Sequence, residues 1–81
     1  MKLKYIIVED GGLELAVVFN EILTHADVGA KYGRNNIVGA GFVETDSKYW
    51  ACYGESVSLD IKSRCSTDSR ILAKTFGGLT L

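Results

Sequence analysis

The sequence predicts an α+β domain with a four- or five-stranded antiparallel sheet, a short broken helix after strand 2 and a C-terminal helix packed on one face. Three observations carry this reading. Short runs rich in β-branched and aromatic residues recur along the chain, at 2–8, 13–19, 37–45, 48–53 and 57–61. Most of the connections between them are too short for anything but antiparallel pairing. The segment 68–76 then changes period, with apolar groups at Ile71, Leu72, the Thr75 methyl and Phe76 forming a stripe that can lie on a sheet.

In chain order, 2–8 and 13–19 flank Glu9-Asp10-Gly11-Gly12, whose glycines supply the positive φ of a hairpin turn. Asn20 is a good N-cap and Glu21 suits a first helical turn, while Thr24 caps a second short helix from His25 to about Tyr32. Gly29 weakens that helix and Gly33 suits its end. Strand three, 37–45, turns at Asp46-Ser47 into strand four. A two-residue turn there sets Val43 against Trp50 and brings Trp50 near Gly41. Gly54-Glu55 breaks the run before a fifth strand, 57–61, which alternates apolar and polar residues. The polar loop 62–67 leads into the helix, Gly77-Gly78 ends it, and 79–81 is read as a short tail. Leu59, Ile61, Leu72 and Phe76 are expected to pack together over Val17 or Phe19.

The 81 residues make a single domain, 1–81, with one modest core. Apolar residues at 47% and charged residues at 23% are a globular composition. A net charge of −1 disfavours general nucleic-acid binding. The charge is uneven, however: Lys62, Arg64, Arg70 and Lys74 outnumber Asp68 in the last segment, which sets a local positive field there. No apolar run reaches the ~20 residues of a membrane span. The run after Lys2 and Lys4 is too short for a signal peptide, so a cytoplasmic protein is expected. Cys52 reads as a small core residue, and Cys65 as a free thiol without a function. His25 is the one histidine and has no acidic orienter or nucleophile spaced beside it. Neither a metal nor a cofactor motif is present, and Glu14, Glu44 and Glu55 stand apart on strands, so no enzyme is expected.

Three stretches carry a resemblance: Val17 to Val28 (VVFNEILTHADV), Val38 to Val43 (VGAGFV) and Tyr53 to Arg64 (YGESVSLDIKSR). Together they resemble small phage- and prophage-encoded accessory proteins of unknown function, over most of residues 4–75. In those proteins the Ser-Arg pair is commonly followed by proline, where this chain has Cys65. The resemblance implies an accessory gene acting in the host cell, against a host enzyme or defence system, and brings no catalytic residues with it.

Three places compete as binding sites. Ser63, Arg64, Ser66 and Thr67 precede the last helix and Arg70 lies on its first turn. Helix N–H groups, hydroxyls and a guanidinium together suit a phosphate or carboxylate, although Ser and Thr there are more ordinarily plain caps. Arg64 is expected to be exposed. Gly39-Ala40-Gly41 would let a ligand approach a strand, or more simply admit a large neighbour such as Trp50 or Phe76. Arg34, Asn35 and Asn36, beside Tyr32, offer stacking and amide bonds, or only a solvated connector. The function expected is non-enzymatic: inhibition of a host protein through a protein surface. The alternative is sequestering a small anionic, phosphorylated or nucleotide-like ligand at the basic helix start. A domain this small leaves aromatic side chains and a sheet edge uncovered, so a homodimer or higher homo-oligomer is expected.

Overall fold

The computed structural model describes residues 1–46 and 48–80. Its elements are β1 (Lys2–Asp10), β2 (Leu13–Phe19), α1 (His25–Gly29), a 3-10 turn (Arg34–Asn36), β3 (Ile37–Thr45), β4 (Tyr49–Tyr53), β5 (Glu55–Ser56), β6 (Ile61–Lys62), α2 (Ser66–Phe76) and β7 (Leu79–Thr80). Five of the strands form one sheet in the order β2-β1-β3-β4-β7. The first three pairings are antiparallel, and β7 lies parallel to β4. The α+β reading and its two helical regions are therefore present, with a five-stranded, mostly antiparallel sheet.

The hairpin turns at Gly11 and Gly12, with φ of 62° and 87°, the paired left-handed conformations of a tight two-residue turn. Thr24 caps α1, its Oγ1 accepting the Asp27 N–H at 3.0 Å. The stretch from Asn20 makes only a turn, in which Asn20 Oδ1 accepts the Ile22 N–H at 2.9 Å.

Period-two alternation divides the core. Tyr5, Ile7, Val43, Trp50 and Cys52 share one face, and α2 packs on it through Leu72. Ile6, Val8, Ile37 and Ala40 share the other, covered by Val28 of α1 and by Leu59. Full burial of a side chain such as Leu72 stabilises the fold by about 1.5–3 kcal/mol. The expected joint cluster of Leu59, Ile61, Leu72 and Phe76 is thus split. Leu59 and Ile61 join Val17 and Phe19 on the α1 face, Leu72 lies on the α2 face, and Phe76 stays half exposed against Trp50.

The expected strand 57–61 is a hairpin tip. Only β5 and β6 pair, and residues 57–60 turn between them with Asp60 at φ 56°. The alternation that suggests a strand instead inserts Leu59 into the α1 face, against Gly29, where a Cβ would meet Leu59 Cδ1 at 3.3 Å. The fifth strand of the main sheet is β7, drawn from the expected tail, with Leu79 N donating to Lys48 O at 2.8 Å. The β3–β4 register also differs, because Val43 faces Cys52 and Thr45 faces Trp50. Ser47 of the expected tight turn, and the tail's end at Leu81, fall outside the described residues.

Candidate functional site

The basic junction is built around a carboxylate. α2 begins at Ser66, two residues before the expected start, and this turns Asp68 inward to full burial. Gly39 makes room for it, since any Cβ there would collide with the Asp68 carboxylate. The small residue at 39 therefore admits a neighbour, but that neighbour is Asp68 and not Trp50 or Phe76. Gly41 admits the Tyr53 carbonyl and the Ser63 Cβ in the same way. Trp50 lies elsewhere, donating from Nε1 to the Gly77 carbonyl at 2.9 Å.

Every lone-pair direction of Asp68 that the fold uses points at a donor of the chain itself. Oδ1 accepts from Arg64 Nε at 2.8 Å, and Oδ2 accepts from the Arg64 backbone N–H at 2.9 Å. Tyr5 Oη lies 2.6 Å from both Asp68 Oδ2 and Ser63 Oγ. The phenol has one proton, and it donates this to the carboxylate, so the Ser63 hydroxyl donates to the phenol. Ser63 Oγ in turn accepts the Cys65 N–H at 3.0 Å. The rest of the Arg64 guanidinium reaches across to Glu14 on β2, with Nη2 to Oε1 at 2.7 Å. Arg64 is therefore a half-buried clamp between α2 and β2, not the exposed side chain expected.

The electrostatics follow from this packing. Burial pushes the Tyr5 phenol well above its usual range, and its bond to Asp68 adds to the effect. The Arg64 hydrogen bond lowers Glu14 below the ordinary carboxylate value, and the Glu14 bond raises Arg64 further. Burial raises the Cys52 thiol to about 11. The next helical residue, Ser69, is buried as well. Its hydroxyl accepts the Cys52 backbone N–H at 2.9 Å and donates to the Cys65 carbonyl at 2.9 Å. The first bond holds α2 to β4, and the second lies within the first turn of α2 itself. On the opposite face, His25 Nε2 lies 2.8 Å from the Gly41 carbonyl, which only accepts, so Nε2 carries the proton. Burial depresses the His25 pKa, against the pull of that bond, and the Lys4 charge depresses it further.

Of the residues read as an anion site, Ser63 and Arg64 are half-buried and engaged as described. Ser66, Thr67 and Arg70 are exposed on the first turns of α2. Ser66 and Thr67 lie inside the helix and do not cap it. The cap position is Cys65, at φ 50°, with no side-chain cap bond. Arg34, Asn35 and Asn36 are exposed in the 3-10 turn, far along the chain from the junction, and Asn36 Nδ2 donates to the Tyr32 carbonyl at 2.8 Å. Asn36 is brought instead to a groove of about 560 Å³ between the hairpin and the 31–36 segment. Val8, Leu15 and Val17 line it with Tyr32, and Glu9, Asp10 and Lys31 supply charge of both signs.

Tyr5 and Glu14, central to the junction, escape a local reading because they lie 63 and 50 residues from their partners Asp68 and Arg64. Among the described residues, no group of three His, Cys, Asp or Glu side chains is placed to hold a metal ion, and no helix is long and apolar enough to cross a membrane. Comparison with known proteins finds no match among family models, curated proteins or solved structures.

Proposed function

We propose that this chain is a non-enzymatic accessory protein of phage type that acts in the host cytoplasm by binding a host protein and obstructing it. The groove beside the hairpin is the observation that supports this reading best. It joins apolar side chains, an aromatic ring that is 40% exposed at Tyr32, and charges of both signs, the composition of a surface that receives an apolar side chain within a polar rim. The alternative, a phosphorylated or nucleotide-like ligand held at the basic junction, has weaker support. The Arg64 guanidinium that would bind it already makes bonds to Asp68 and Glu14.

Affinity capture from a bacterial lysate, read for both proteins and small metabolites, tests the reading. A protein captured by the wild type should be lost with Tyr32→Ala and with Lys31→Glu. Equal capture by all three chains, or capture of an anionic metabolite and no protein, overturns it.

A further inference from the structure

We propose that the free edge of β2 pairs with β2 of a second copy, antiparallel about a two-fold axis at Ala16, joining two five-stranded sheets into one. The inference concerns the edge of the sheet, whose residues Leu15, Ala16 and Val17 also line the groove, and its test reads assembly alone.

β2 ends the sheet and pairs only with β1 over all seven of its residues, without a register shift. The two-residue turn makes Asp10 and Leu13 the first hydrogen-bonded pair of the hairpin. Alternation then directs the N–H and C=O of Leu15, Val17 and Phe19 toward β1, and those of Glu14, Ala16 and Val18 away from it. The outer edge thus presents a regular row of donors and acceptors. The usual protections of such an edge are missing, for β2 contains no proline, no lysine and no bulge. Its one charge, Glu14, is drawn to Arg64.

The edge complements itself over its full length in one register. A two-fold axis normal to the sheet passes through a directly opposed pair, and only an axis at Ala16 pairs all seven residues of the strand, whereas one at Leu15 or Val17 leaves two of them with no strand opposite. At Glu14 the axis would set two carboxylates opposite each other, a repulsive pair. At Val18 the residues before Val17 would find no strand opposite. At Ala16, Glu14 meets Val18 of the second copy, Leu15 meets Val17 and Leu13 meets Phe19, so no like charges face and the α1-side pairs are all apolar. The exposed side chains fit the same axis. Leu13 and Leu15 are 65% and 47% exposed at one end of the strand, and Ile22 and Leu23 are 85% and 48% exposed just past the other end. The axis brings these two ends together.

Sedimentation of the full chain, with circular dichroism as a check on folding, tests the proposal. The wild type should sediment at twice the 8.8 kDa chain mass at micromolar concentration. Val18→Glu places a carboxylate opposite Glu14 of the second copy and should halve that mass. Val18→Lys, equally polar at the same site, places an ammonium there and should remain a dimer. If neither Val18 variant folds, Ala16→Pro decides. It removes only an outward N–H, spares the β1 ladder, and should give a folded monomer. A monomeric wild type, identical behaviour of folded Val18→Glu and Val18→Lys, or a folded Ala16→Pro dimer overturns the proposal.

Discussion

The two faces of the sheet are held by different chemistry. Under α2, the apolar cluster around Leu72 is joined by a buried carboxylate whose partners, Tyr5 and Arg64, come from opposite ends of the chain. Under α1, the packing is apolar, from Ile6, Val8, Ile37, Ala40 and Leu59, with the ionisable His25 buried on the same face. A polar network fixes orientation where an apolar contact alone would let a helix slide, because each bond demands one geometry. The α2 face spends its hydroxyls and its arginine on that task. The α1 face, with fewer such constraints, leaves a groove of about 560 Å³ at the hairpin end. Ser63 and Arg64, which look like a binding site in the sequence, are thus tied into the fold, while Ser66, Thr67 and Arg70 stay exposed beside them.

Four measurements can break or sharpen this contrast. Asp68→Ala should cost about 3–5 kcal/mol in a urea melt, because Arg64 and Tyr5 lose their common acceptor inside the protein. A cost under about 1 kcal/mol would show that the network is dispensable. Leu72→Ala and Leu59→Ala should each cost about 2–5 kcal/mol. Since the sheet separates the two side chains, their effects should add to within about 0.5 kcal/mol. A larger coupling in the double variant would mean that the faces do not act independently.

The third measurement is acid titration of stability near neutrality. The folded pKa of His25 lies below its ordinary value of 6.5, so the unfolded chain takes up this proton first. Stability from this group is complete above 6.5 and is lost as pH falls through the window below it. His25→Asn should flatten the melting temperature across that window, and an unchanged slope would place the titrating group elsewhere. The smallest effect belongs to Glu14→Gln at neutral pH, which should leave the melting temperature nearly unchanged, since the Arg64–Glu14 contact is solvent-exposed. The lowered Glu14 pKa gives the wild type stability that is present above 4.5 and lost as pH falls below it. The Gln variant should lack that contribution in acid, and an identical acid profile would show that Glu14 is not paired in solution.

Much of the architecture is legible in local pattern. Gly11-Gly12 announces the hairpin, Thr24 its helix cap, and the 3.6-residue spacing of Ile71, Leu72 and Phe76 the C-terminal helix. The same local logic misplaces 57–61, because alternation over five residues suits a tight turn with one inserted leucine as well as it suits a strand. The junction was legible as a cluster of residue types and illegible as an arrangement. Ser63, Arg64 and Asp68 are neighbours in sequence, but whether Asp68 faces solvent as a helix-start charge or the core as an acceptor depends on Gly39 and Tyr5.

By itself, then, the sequence determined the elements whose cause is short-ranged: backbone freedom at glycine, side-chain capping, and the periods of strand and helix. Only the tertiary structure decided which face each element buries, that the last strand is Leu79–Thr80, and that Arg64 is bound from within. The physical reason is that these outcomes rest on contacts between residues far apart in the chain. A carboxylate is buried only where a glycine makes room for it and a phenol and a guanidinium arrive to bond it, and no local stretch of sequence contains all four.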